Sequence, residues 1–239
     1  MRAIIVCVDY WDYLAVTLPY NLHHYDECMV VTSPADTNTQ ELCKHYKVQC
    51  HITDAFYRKG AMFNKWLALE EGLDKFGRDG WILIIDADIM LPRSIDLPPL
   101  HIGNIYAPRR RMGDRPLPES MWNTLRLWHV QEFSGFFQLF HGRDPVLPNP
   151  PWHEVDWTHA GGADTFFQNK WRPTNKIRLD FEVLHLGPNG KNWCGRATPL
   201  AGQVPTEAHI RMQKLSEFME RRRVAPKANL TRYDHEKLK

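Results

Sequence analysis

WILIIDADIMLP, residues Trp81 to Pro92, is the stretch that decides the fold. Trp81 to Ile85 is a short apolar run rich in β-branched residues, the pattern of a buried strand in a parallel sheet. Gly80 precedes it and Pro92 closes the stretch, as strand boundaries should. Asp86 and Asp88 stand at its carboxyl end with one small residue between them. Alternation along an extended chain would aim both carboxylates the same way. Two like charges beside an apolar core are unfavourable unless a positive charge joins them. Carboxylate oxygens suit Mg²⁺ or Mn²⁺, and ligands of open α/β sheets bind beyond the carboxyl ends of strands. The placement predicts a metal–phosphate site. A bare D-x-D pair also occurs where an ordinary strand leaves the core through a polar turn, so the motif needs support from elsewhere in the chain.

The flanking sequence predicts strand–helix alternation, the mark of a parallel α/β sheet. Ala3 to Val8 reads as a central strand with Asp9 and Tyr10 at its end. Leu14, Leu18 and Leu22 predict a helix over Trp11 to His24, kinked or shortened at Pro19. Strands are expected at Cys28 to Thr32 and Val48 to Ile52, with a short helix over Gln40 to Tyr46. Met62, Trp66, Leu69, Leu73 and Phe76 form one apolar stripe, so a helix precedes the Asp86 strand and stops at Gly77. Its polar start carries Arg58, Lys59, Asn64 and Lys65; helix N-termini favour anions, and Asn64 and Lys65 lie off the stripe, facing either a ligand or solvent.

Beyond Pro92 the pattern loosens. Asn104 to Pro108 predicts a strand leading into a basic knot of Arg109, Arg110, Arg111 and Arg115, after which residues 109–130 show no clean period. Phe133 to Phe140 predicts a strand with Gly135 inside it, at a bulge or a close approach. Gly161 and Gly162 open a short helix with Asp164 in its first turn. Ile177 to Leu186 predicts a strand running into HLGPNGKNW, and Ala208, Met212, Leu215 and Met219 line a last helix.

The chain has 239 residues and reads as one α/β catalytic domain over residues 1–220, with a nucleotide-binding half of about 1–92, an acceptor-binding half of about 93–220 and a basic tail over 221–239. The tail holds seven Lys or Arg against two acids, a local +5, which leaves −3 for the rest of a chain of net charge +2. Tail and arginine knot fit either a polyanion or ordinary solvation. No segment reaches the ~20 apolar residues that cross a bilayer. Five scattered cysteines without a CxxC pair fit free thiols in a reducing compartment, so a cytoplasmic protein is expected.

These motifs, in this order, resemble the GT-A fold glycosyltransferases: Asp9-Tyr10 after the first strand, Asn64-Lys65 on an amphipathic helix, DADI at a strand end, then His185. HLGPNGKNW is similar to the HxxGxxKPW motif of glycogenin-like transferases, with His185, Lys191 and Trp193 in register, Pro188 at the glycine position and Asn192 at the proline. GGAD resembles the acidic motif that opens the acceptor-side helix of inverting GT-A enzymes. The resemblance implies a mostly parallel, Rossmann-like central sheet flanked by helices. It implies metal-dependent transfer from a nucleotide-diphosphate sugar, a UDP-sugar, to a hydroxyl. Asp86, Asp88 and His185 would hold Mn²⁺ or Mg²⁺, and Lys191 would sit on the diphosphate with Trp193 beside it. Asp9 and Tyr10 would hold base and ribose, with Asn64 and Lys65 flanking nucleotide or sugar. Asp164 would be the base or an anchor for donor-sugar hydroxyls, two roles with opposite stereochemistry. The acceptor is a glycan, a protein or a hydroxymethylated base in DNA. A nucleotidyltransferase also uses paired carboxylates and a metal, but DYWDYLA stands where its glycine-rich loop is expected. An inactive nucleotide-sugar binding module is the third alternative.

Overall fold

The computed structural model describes residues 1–128, 133–187, 192–199, 207, 210, 211, 213 and 214. The chain runs β1 (Arg2–Val6), α1 (Trp11–Asn21), β2 (Glu27–Thr32), α2 (Thr37–Tyr46), β3 (Gln49–Ile52), α3 (Lys65–Phe76), β4 (Trp81–Asp86), β5 (Ile89–Met90), β6 (Ile105–Met112), β7 (Arg126–Trp128), β8 (Phe137–His141), α4 (Ala163–Gln168) and β9 (Lys176–His185). These form one sheet in the order β3-β2-β1-β4-β8-β6-β9-β5, with β7 on β6. The first four neighbours are parallel. β8 then enters antiparallel to β4, while β6 and β9 run parallel to each other.

Alternation along the strands divides the core between two faces. Ile82 and Ile84 turn to α3, packing with Trp66, Leu69 and Leu73. Leu83 and Ile85 turn to α1, packing with Leu14 and Leu18. The expected α3 stripe is therefore buried, but Met62 lies before the helix, its N–H donating to the Thr158 carbonyl oxygen. Asn64 is the reason: its side-chain oxygen accepts from Leu67 N–H at 3.0 Å, which starts the helix at Lys65. Gly77 closes it at φ 87°, a backbone angle glycine adopts without a Cβ clash. Pro19 stays inside α1, which ends at Asn21 and tightens into a 3₁₀ turn over Leu22–His24.

Two expectations are corrected. The strand expected to end at Pro108 ahead of the arginine knot instead runs to Met112 as β6 and takes in Arg109, Arg110 and Arg111, with Arg115 beyond its end. The period was hidden because the alternate side chains on both faces of this strand are arginines. Gly135 stands ahead of β8, not inside it. The four residues expected to line a last helix, and the whole basic tail, lie outside the described residues.

Candidate active site

Three strands deliver the site to one end of the sheet. β1 lies between β2 and β4, so successive connections leave it in opposite directions and open a crevice at the β1–β4 carboxyl ends. Val6 is in register with Asp86, so Asp9 and Tyr10 after one strand and Ala87 and Asp88 after the other lie past the same rim. The alternation argument stops at Asp86, where β4 ends; Ala87 and Asp88 form a turn leading into β5. That turn is held from below by α1. Thr17 Oγ1 donates to the Ala87 carbonyl at 2.5 Å, and Asn21 donates to the Ile89 carbonyl while accepting from Leu91 N–H.

The two carboxylates consequently meet different partners. Asp86 pairs with Lys65, the first residue of α3. Asp88 Oδ2 lies 3.2 Å from His185 Nε2, because β5 pairs antiparallel with β9 and sets Ile89 opposite His185. Burial pushes the Asp86 carboxyl above its ordinary value, Lys65 opposing and Asp88 adding to it. Burial is the largest influence on Asp88 and acts the same way, but His185, a backbone N–H and Lys65 together outweigh it and the carboxyl ends below the ordinary value. Gly187 permits this contact: a Cβ there would stand 1.9 Å from Asp88 Oδ2. The displaced glycine of HLGPNGKNW thus leaves space for the acid.

The Asp88–His185 pair fits a divalent cation. Cis ligands at 2.0–2.1 Å on an octahedral ion stand about 3 Å apart, close to the separation found here. Hard oxygen with imidazole nitrogen suits Mn²⁺. His185 Nδ1 is buried without a hydrogen-bond partner among the described residues. The third expected ligand is not gathered with them: Asp86 is held by Lys65, and among the described residues no three His, Cys, Asp or Glu side chains converge as a metal cluster.

Asp164 enters from the other half of the chain. Its Oδ2 accepts from Gly135 N–H at 2.9 Å and Oδ1 from Thr165 N–H at 2.8 Å. One residue on, the Phe136 carbonyl accepts from Asp86 N–H, so residues 135–136 bridge the two acids. Trp193 packs on Gly161, where a Cβ would meet its ring at 2.7 Å, and its carbonyl accepts from Ala160 N–H. The GGAD segment and the end of HLGPNGKNW are in contact. Asn192, at the resemblance's proline position, donates to Tyr10 Oη and accepts from Ala197 N–H. Arg196 lies over the Tyr10 ring, 4.4 Å from its centroid, and holds Asp12 through two hydrogen bonds. Tyr10 is therefore enclosed, whereas Asp9 is exposed at φ 58° with its N–H on Asp36.

Asn64 differs from the expectation that it faces a ligand. It is buried, its oxygen caps α3, and its amide donates to the Val155 carbonyl at 2.7 Å. Lys191 lies outside the described residues. Sequence reasoning missed Arg110 as a site residue. Its guanidinium is buried over the Phe136 ring, 4.6 Å from the centroid; burial lowers its pKa, and Asp86, Asp88 and Asp164 pull it back up. The missed signal is strand alternation through RRR, which separates the middle arginine from its neighbours.

No protein-family model matches the sequence, and no curated protein matches it. Solved structures do. GalNAc-T7, in a structure with UDP, GalNAc and Mn²⁺, is 14% identical with a TM-score of 0.51, covering 91% of this chain and 49% of that one, so this chain spans about half its length. Glucosyl-3-phosphoglycerate synthase from Mycobacterium tuberculosis, in complex with Mn²⁺, UDP and glucosyl-3-phosphoglycerate, is 12% identical with a TM-score of 0.50, covering 95% of this chain and 81% of that one. The inositol-1-phosphate CTP transferase from T. maritima is 9% identical, covers 95% of this chain and 98% of that one, and at a TM-score of 0.44 adds no argument for either chemistry. Similarity at these identities is a statement about architecture, and it agrees with the strand order and the rim described above. The chain has the GT-A fold of the nucleotide-diphospho-sugar transferases.

Proposed function

We propose that this protein is a metal-dependent glycosyltransferase that moves a sugar from a nucleotide-diphosphate donor, a UDP-sugar, to a hydroxyl acceptor. The observation that carries the reading is the Asp88–His185 pair at the rim beside the Lys65–Asp86 ion pair. Asp88 and His185 would hold a divalent cation, Mn²⁺ by donor chemistry, which neutralises charge on the departing diphosphate. Asp86, already charge-matched by Lys65, stands next to that position and orients donor hydroxyls as an acceptor of hydrogen bonds. Asp9, exposed beyond β1, serves the nucleoside, with Tyr10 as its enclosed support. Trp193 keeps the 161–164 segment closed against the donor. Asp164 is assigned the acceptor's proton: its carboxylate is fixed by two backbone N–H groups and retains lone pairs for a hydroxyl. Lys191, six residues after His185, would add a positive charge on the diphosphate.

DNA as acceptor is not part of the proposal. Arg109 and Arg111 both engage Glu182 and Arg110 is buried, so the knot does not offer a continuous basic strip. The test is a titration of UDP with and without Mn²⁺, followed by hydrolysis and transfer assays across UDP-sugars. The expected result is donor binding that needs the metal and falls at least tenfold in Asp88→Ala. Donor binding that is indifferent to both metal and Asp88 refutes the assignment.

A further inference from the structure

Strand alternation sorts the three consecutive arginines of β6 onto two faces. Arg109 and Arg111 pair across to Glu182, and Arg111 does so with the side-on edge of its guanidinium: Nε to Oε2 at 2.6 Å and Nη2 to Oε1 at 3.0 Å. Arg110 faces the other way, in the row that Met112 and His185 continue. Only 4% of it is exposed, and the same two nitrogens, Nε and Nη2, are buried without a hydrogen-bond partner among the described residues. Neighbouring residues of identical type thus show the same fork, filled in one and vacant in the other.

The vacancy has a structural reason. Among the described residues three carboxylates lie close enough to act electrostatically on Arg110, yet each is engaged elsewhere: Asp86 by Lys65, Asp88 by His185, Asp164 by the backbone N–H groups of residues 135 and 165. Phe136 and Trp128 lie beside the guanidinium and supply no oxygen. A buried cation with two parallel donors unmatched is among the least favourable arrangements in a folded chain, and native proteins keep one where a partner arrives from outside. A guanidinium's side-on edge fits a planar or tetrahedral oxyanion that presents two oxygens, a geometry lysine cannot reproduce.

We propose that the Nε/Nη2 edge of Arg110 receives an oxyanion carried by the acceptor, a carboxylate or a phosphate, so that this enzyme glycosylates an acidic acceptor. The inference rests on the glycosyltransferase reading and narrows its substrate class. The donor's diphosphate is a separate anion. Arg110 is in register with Val183, two residues before His185 on β9, so its row stands roughly 7 Å along the sheet from the cation position. Asp164, to which the acceptor's proton is assigned, lies within electrostatic reach of the same guanidinium. The acceptor hydroxyl and its acidic group would then be fixed by neighbouring residues on one segment, 135–136, and the rings beside it.

The test uses inorganic phosphate as the probe on the full chain, by calorimetry with Mn²⁺ and UDP present. Wild type should bind phosphate saturably alongside UDP. Arg110→Lys keeps the charge and removes the fork, and should weaken phosphate at least tenfold while UDP binding is retained. Equal phosphate affinity in wild type and Arg110→Lys overturns the proposal. So does displacement of phosphate by UDP, since the anion would then be the donor's. A wild-type crystal soaked in Mn²⁺, UDP and phosphate gives a second readout that no folding defect can obscure: an oxyanion on Nε and Nη2 supports the proposal, and an unfilled edge at saturating phosphate refutes it. Should wild type bind phosphate through Arg110 but bind no UDP with Mn²⁺, the donor reading fails and the oxyanion site stands.

Discussion

Replacing Gly187 with alanine adds one methyl group at the point where the sheet end is tightest. The backbone of Gly187 is not in the left-handed region, so alanine introduces no φ/ψ strain and the effect is steric. The new Cβ would lie 1.9 Å from Asp88 Oδ2, 2.9 Å from its Cγ and 3.5 Å from its Cβ. Moving the carboxylate oxygen alone does not relieve the second contact; the whole carboxylate must rotate away or the 186–187 backbone must shift. The backbone is tied by the Leu186 N–H bond to the Asp88 carbonyl at 2.9 Å, so rotation of Asp88 is the easier escape. That rotation ends the Asp88–His185 contact, a charge-assisted bond of about 1.5–3 kcal/mol. With overpacking of about 1–3 kcal/mol as the alternative escape, a net loss near 2 kcal/mol is expected. For a chain of this size that corresponds to about 4–8 °C in melting temperature. The larger effect falls on the cation, because disturbing the setting of a ligand weakens metal affinity by about 10–100-fold. Thermal shift with and without Mn²⁺ and UDP reads both quantities in one plate. A folded Gly187→Ala protein whose Mn²⁺-dependent stabilisation by UDP equals that of wild type would refute the geometry derived for this rim.

Two further outcomes follow from buried polar groups away from the rim. Asn64→Ala removes the cap of α3 and the bond to the Val155 carbonyl, each about 1 kcal/mol, so melting should fall by about 4–8 °C; Asn64→Ser should recover roughly the half owed to the cap, and no difference between serine and alanine would contradict the capping role. Acid should destabilise the fold in two steps. Burial lowers the pKa of His153 below 6.5 despite its 2.6 Å contact with Glu70, so the unfolded chain binds the proton first and stability falls as pH drops through the range just below 6.5. Glu70 is pushed up by burial but held below 4.5 by His153 and Arg78, so its share is present above 4.5 and lost below it. Burial lowers His24 and His159 as well, so His153→Phe should shrink the upper step rather than abolish it; urea midpoints measured from pH 7.5 to 3.5 check this, and a His153→Phe protein whose upper step is undiminished would contradict it.

The parts of this molecule that were legible in the sequence are those where one face is apolar and the other is not. β4 announced itself because Ile82 to Ile85 are buried on both sides of a sheet, and α3 because Trp66, Leu69 and Leu73 recur at helical spacing. Only the first half of β6 did, as far as Pro108; beyond it arginines occupy successive positions, and their separation into a Glu182-facing pair and a buried single depends on strands far away in sequence. Thr17 and Asn21 were equally silent: a polar residue on a helix reads as solvated until the turn that it supports is in view. The D-x-D pair was found by its position, but the reasoning from extended-chain alternation did not extend past Asp86. Which partner each acid takes is set by β5 and by the first residue of α3.

β5 is only two residues long, follows the acidic turn directly, and is hydrogen-bonded to β9, which puts it four places along the sheet from the β4 strand that precedes it. Asp88 and His185, separated by 97 positions, are therefore brought together by the pairing of Ile89 with His185. A recombination break near residue 92 would hand Asp88 to one descendant and His185 to another, and neither fragment could rebuild the pair from its own strands. Both halves of the chain must therefore be present for the acid and the imidazole to meet.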